Sequence, residues 1–166
     1  MSAAPCTVRR RRDALLSLLA GCLPLGACAG LAPLGVRTIE LAPGVYMAPG
    51  TGGAADEQNR GRIGNSGFIV GDRGVIAVDT GTSYAHGREL LATIREMTEQ
   101  PVRVALITHT RPEFLFGGAA FREAQIPIRM HRRAAGLMAS RCETCLKTLR
   151  QILGEPAMRG TTMYKA

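Results

Sequence analysis

The most constraining stretch of the chain lies between residues 75 and 107. Val75-Ile76-Ala77-Val78 is a continuous apolar run, the pattern of a strand buried on both faces. Leu90, Leu91, Ile94 and Met97 follow at helical spacing, Pro101 stops that helix, and residues 102–107 form the next buried strand. Strand, crossover helix and strand in this order make two parallel neighbours in one sheet, because the right-handed crossover returns the chain beside its start. The pattern therefore predicts an α/β fold. It also predicts where a site would lie, since open α/β sheets gather ligands at the C-terminal ends of their strands. Those ends are residues 79–82 and 108–112.

The flanking sequence fits the same architecture. Residues 36–41 alternate as a strand and end at the turn pair Pro43-Gly44, and residues 45–48 read as a second strand. Residues 49–64 are rich in glycine with scattered charge and read as a mobile loop. Residues 67–70 form a strand joined to residues 75–78 by the tight turn Gly71-Asp72-Arg73-Gly74, a hairpin. Beyond the second parallel strand, residues 114–124 read as a short helix, 126–130 as a strand and 132–153 as a long helix ended by Gly154 and Pro156. There is no internal repeat.

The first 29 residues read as an export signal rather than as fold. Residues 9–12 are four arginines, residues 14–20 are an apolar run, and small residues follow. The run is too short to span a bilayer, which takes about 20 apolar residues. Arg11-Arg12-Asp13-Ala14-Leu15-Leu16 is similar to a twin-arginine signal. Three processing sites remain open. Ala27-Cys28-Ala29 offers cleavage before Gly30, Leu19-Ala20-Gly21-Cys22 resembles a lipobox ending at Cys22, and Leu25-Gly26-Ala27-Cys28 is a weaker version ending at Cys28. The expectation is an exported chain, soluble in the periplasm or held to the membrane by a lipid anchor. The arginine cluster, less Asp13, carries +3 of the net charge of +8, and the other basic residues are scattered. With aromatics at 4% and no tryptophan, neither a phosphate-tracking stripe nor a base-stacking surface is present, so nucleic acid is not an expected partner.

The succession of strand, Val78-Asp79-Thr80-Gly81, amphipathic helix, strand, Thr108-His109-Thr110 and Gly117-Gly118-Ala119 resembles the metallo-β-lactamase superfamily of zinc hydrolases. The resemblance covers residues 36–153 and is strongest to exported zinc metallohydrolases associated with quinoprotein systems. It implies half of an αββα sandwich, a mixed sheet with flanking helices. It also implies a His-x-His-x-Asp-His loop, in which paired histidines hold one metal and the Asp-His pair serves a second metal or the attacking water. Here the loop reads His109-Thr110-Arg111-Pro112-Glu113-Phe114. His109 matches the first histidine. Arg111 stands at the second, Glu113 replaces the aspartate and Phe114 replaces the last histidine. A guanidinium stays protonated and has no lone pair to give. One histidine and one carboxylate remain, where catalytic zinc takes three protein ligands.

Several expectations follow. The metal site is degenerate, with His109 and Glu113 as its remaining ligands and zinc weak or absent. Arg111 supports the site by pairing with Glu113 or Asp79. Asp79 either supports the His109 loop or caps the turn that follows it, and the second is favoured because turn and helix starts select aspartate without any catalysis. The further ligands that the resemblance implies lie beyond a domain that here runs over 36–166, so the domain reads as truncated. His86 and His131 match no ligand position. The function expected is that of a zinc-hydrolase relative with reduced or lost hydrolysis; the competing reading is a non-catalytic exported binding or accessory protein.

Two features stand apart from the motif. Cys142 and Cys145 form a Cys-x-x-Cys, open to packing, a redox pair or half a metal site. Their place in a stripe with Met138, Leu149 and Ile152 favours packing. The sheet, finally, has helices enough for one face only. Self-association or a protein partner over the other face is expected.

Overall fold

A computed structural model describes residues 35–163. The export-signal reading therefore falls outside the described residues. Ten elements follow in chain order: β1 (Ile39–Ala42), β2 (Val45–Ala48), β3 (Ser66–Gly71), β4 (Gly74–Val78), α1 (Tyr84–Met97), β5 (Val102–Ile107), α2 (Pro112–Leu115), α3 (Gly118–Glu123), β6 (Ile128–Met130) and α4 (Arg132–Met158).

The six strands form one sheet in the order β1-β2-β3-β4-β5-β6. The first three pairings are antiparallel and the last two parallel, so the sheet is mixed as expected. Gly71 faces Gly74 across the hairpin turn, and the β4-α1-β5 crossover sets Val78 beside Leu106.

Each helix begins or ends for a local reason. Ser83 caps α1, its hydroxyl accepting from the His86 amide. His131 caps α4, Nδ1 accepting from the Arg133 amide at 3.3 Å. The stretch 114–124, expected as one helix, is two. Between them the Gly117 amide donates to the Gly81 carbonyl at 2.8 Å, and a Cβ at Gly117 would collide with the Thr80 carbonyl. The long helix does not stop at residue 153. Gly154, at φ +76, kinks it, and a further turn continues through Pro156 to Met158. The outer strands are shorter than their apolar patterns suggested: β1 begins at Ile39 rather than residue 36, and β6 at Ile128 rather than residue 126.

The helices cover one face of the sheet. Phe68, Val75, Ala77 and Ala105 pack there against Leu90, Leu91 and Ile94 of α1 and Ala120 and Phe121 of α3. Ile107 continues this face into a second cluster with Leu115, Phe116 and the α4 residues Met138, Cys142, Leu146, Leu149 and Leu153. On α4 the buried stripe is therefore centred on Leu146 and Leu153. Ile152, expected within it, is exposed, and Cys145 is half-buried.

The expectation that β4 and β5 are buried on both faces is corrected. Alternate residues of these strands are exposed, Ile76 and Leu106 among them, as is Ile69 on β3. Apolarity on both faces of a strand records what each face tolerates, and no described element covers the second face. Among the described residues no helix is long and apolar enough to cross a membrane.

Candidate functional site

The loops after β4 and β5 meet where the parallel topology puts them. Asp79, at the end of β4, has a left-handed backbone (φ 55) and is 5% exposed. Aspartate tolerates this region better than most residues. Its amide donates to the Leu106 carbonyl at 2.8 Å. Its carboxylate accepts twice from one residue of the neighbouring loop, from the Thr108 amide at 2.8 Å and the Thr108 hydroxyl at 2.7 Å. Burial pushes the Asp79 carboxyl above its ordinary value, and the two Thr108 bonds and the nearby His109 offset this only in part. Asp79 thus fastens Thr108, the residue that precedes His109.

The next residue closes the other side. The Thr80 amide donates to the Phe114 carbonyl at 2.8 Å, and its hydroxyl bonds the Phe114 and Leu115 carbonyls. The motif loop is thus held at Thr108 by Asp79 and at residues 114–115 by Thr80. Between these anchors sit His109, which is exposed, Arg111 and Glu113. The His109 and Phe114 rings lie 5.5 Å apart, tilted at 46°. Arg111 Nε meets Glu113 Oε1 at 2.7 Å, so the arginine pairs with Glu113 rather than Asp79. The pair is lopsided: Glu113 is buried, while the Arg111 side chain is 62% exposed. The loop before β3 also reaches this place, since a Cβ on Gly64 would lie 2.6 Å from the Phe114 ring and 3.0 Å from Glu113 Cγ. That loop makes bonds of its own: Thr51 and Gly52 amides donate to the Arg62 and Ile63 carbonyls, and the Gly50 amide donates to Asn65 Oδ1.

Donor chemistry is sparse. Among the described residues no three His, Cys, Asp or Glu side chains group as a metal's ligands must. His131 is an exposed cap. Cys142 and Cys145 are free thiols, and burial together with Cys145 pushes the Cys142 thiol up to about 11. That favours packing over redox chemistry, which needs thiolate.

Sequence reasoning missed His86. It is 2% exposed, and its Nδ1 has no hydrogen-bond partner. Burial first, then the charges of Arg62 and Arg60, lower its pKa to about 3, so it is neutral at physiological pH. A single histidine near a helix start carries no signal of this, and only the packing reveals it.

No model of a protein family matches the chain. A linear primary-alkylsulfatase from Pseudomonas sp. is 36% identical over 54 residues, 32% of this chain and 10% of that protein. Three solved structures align over more of the fold. A metallo-β-lactamase from Erythrobacter litoralis is 26% identical over 60% of this chain and 43% of its own (TM-score 0.50). One from Pontibacter korlensis is 20% identical over 63% and 47% (TM-score 0.54). The mono-zinc form of the metallo-β-lactamase FIM-1 from Pseudomonas aeruginosa is 19% identical over 62% and 45% (TM-score 0.51). The chain spans less than half the length of each of these proteins. A mixed sheet, helices on its covered face and loops fastened at the C-terminal ends of two parallel strands are thus the features of a metallo-β-lactamase fold, present here over about half of that fold's usual length.

Proposed function

We propose that this chain is an exported relative of the zinc hydrolases whose metal site has become an ion-pair site, with hydrolysis reduced or lost. The observation that carries this reading is the Arg111–Glu113 contact at 2.7 Å. Glu113 is one of two donors left in the motif, and its carboxylate already faces a guanidinium. A divalent ion beside His109 must displace that cation or sit against its charge, and Arg111 has no lone pair to offer. The residues present therefore do not fit a catalytic zinc, and no hydrolytic step is derived through one. Asp79 and Thr80 fasten the loop at both ends through hydrogen bonds of the chain's own. Such a loop suits binding, and the exposed guanidinium of Arg111 beside His109 favours an anionic ligand. Export is supported by the arginine cluster at residues 9–12 and the apolar run after it.

Elemental analysis of the purified full chain after dialysis tests the reading. The expected result is well under one zinc per chain, with no hydrolysis of lactam, thioester, phosphodiester or sulfate-ester substrates above buffer. The triple variant Arg111→His, Glu113→Asp, Phe114→His is expected to take up zinc at least tenfold more tightly. Stoichiometric zinc on the unaltered chain, or turnover abolished by His109→Ala, overturns the reading.

A further inference from the structure

Sulfur is unevenly placed in the two cores. The core between the sheet, α1 and α3 contains neither cysteine nor methionine. The core under α4 buries Met138, Cys142 and Met158, and Met130, Cys145 and Met163 pack against it. Leucine fills an apolar core about as well as methionine does, and Leu115, Leu146, Leu149 and Leu153 do so in this one. Volume alone therefore does not account for the gathered sulfur.

Three of these residues share one stripe of α4. Met138, Cys142 and Cys145 are spaced by four and then three, which brings side chains of successive turns together. Met138 is 2% exposed, Cys142 is fully buried and Cys145 is half-buried. Both cysteines are free thiols. They are close neighbours: burial first, then the charge of Cys145, pushes the Cys142 thiol up to about 11. Met130 lies opposite Ile107 on the face of the sheet that α4 covers, so a further thioether belongs to the same core.

We propose that Met138, Cys142 and Cys145 form a site for a cuprous ion. Thiolate and thioether sulfur together select soft monovalent copper. Zinc takes four ligands drawn from cysteine, histidine and carboxylates in its structural sites, and among the described residues no three such side chains group together. Uptake breaks the two S–H bonds and forms two S–Cu bonds, with the Met138 thioether adding its lone pair. Two protons pass to solvent and no electron is transferred, so the step consumes neither oxidant nor reductant. The raised Cys142 thiol does not oppose this, because a metal deprotonates a coordinating thiol outright. It makes uptake pH-dependent instead. Cys145, the one of the three partly open to solvent, is where the ion enters. The site shares no residue with the loop from His109 to Phe114, so it stands independently of the function proposed above.

Anaerobic titration of the reduced full chain with copper(I), against the chromophoric chelator bathocuproine disulfonate, tests the proposal. Cys6, Cys22 and Cys28 stay unaltered throughout. The unaltered chain should hold copper against the chelator, with X-ray absorption showing sulfur ligands only. Excess zinc should leave that copper in place. Cys142→Ala and Cys145→Ser should each weaken binding more than about 100-fold, beyond the loss that an outer-shell partner causes. Met138→Leu conserves volume and should weaken it about tenfold with circular dichroism unchanged. Affinity should fall from about pH 8 to about pH 6 as protons compete for the thiolates. The half-buried Cys145 keeps the test decisive even if Cys142→Ala fails to fold. Copper held equally well by both cysteine variants belongs to the other thiols and overturns the proposal. A reduced chain that yields all its copper to the chelator overturns it, as does zinc displacing the copper. Affinity unchanged in Met138→Leu removes the thioether from the site and overturns the three-residue assignment.

Discussion

Asp79 offers the sharpest test of how the site loop is held. Replacing it with alanine removes two hydrogen bonds to a carboxylate, from the Thr108 amide and hydroxyl. Each such bond costs about 1.5–3 kcal/mol when one partner is cut away. Thr108 itself is exposed, so water can reach the freed groups and the low end applies, about 3 kcal/mol for the two. Alanine must also hold φ near +55°, where a Cβ without a local hydrogen bond costs about 1 kcal/mol more. Asp79→Ala is therefore expected to lose about 4 kcal/mol. Asp79→Gly, which relieves the backbone but not the lost bonds, should lose about 3 kcal/mol. Asp79→Asn keeps one acceptor, can donate to the Thr108 hydroxyl and tolerates the left-handed backbone, so it should lose about 1 kcal/mol. Urea unfolding followed by circular dichroism reads all three.

The same series has a pH arm. Because burial raises the Asp79 carboxyl in the folded chain, the fold binds its proton more tightly than the unfolded chain does. The stability this contributes is fully present below about pH 4 and is lost as pH rises through the folded value. Relative to Asp79→Asn, the unaltered protein should therefore lose ground as pH increases above 3.8. Asparagine as damaging as alanine, or alanine costing under 1 kcal/mol, refutes the argument that the Thr108 bridge holds the loop.

Two further perturbations have definite signs. His86 is depressed to about 3, so it takes up a proton at pH 6.5 and below mainly in the unfolded chain; the protein should lose up to about 4 kcal/mol between pH 6.5 and 3, and His86→Leu should flatten that acid limb in pH-dependent unfolding. A Cβ at Gly117 meets the Thr80 carbonyl and one at Gly87 meets the Gly117 carbonyl, so alanine at either should cost more than about 3 kcal/mol or prevent folding. Gly136→Ala on α4 meets open space and should gain about 0.5–1 kcal/mol, all three read by thermal melts.

Much of the sheet was legible because its signals are local. Pro101 and the polar residues after Ile107 bound β5, and Pro43-Gly44 sets the start of β2; both strands lie where the sequence put them. The hairpin between β3 and β4 follows from its glycines. What failed was a local signal passed over or a contact between residues far apart in sequence. The break between α2 and α3 falls at the Gly117-Gly118 pair, a local signal that the reading of one helix passed over, and it is held by Thr80 and Gly81 more than thirty residues earlier. The unbroken apolar run of β4 could not say which of its faces the helices would cover. At the site, residue types were readable from the motif, but the partner of Arg111 was not: Asp79 and Glu113 were equal candidates until geometry gave Asp79 to Thr108.

Strand order in the sheet equals strand order in the chain, and this bears on how the protein is made. Every strand pairs with the one synthesised just before it, so each pairing closes only the connection between consecutive strands and none spans the whole sheet. The sheet can grow from one border as the chain emerges, each new strand docking on an edge already formed. No strand waits for a partner not yet made, and of the sheet's two borders only the one at the newest strand moves as the chain emerges.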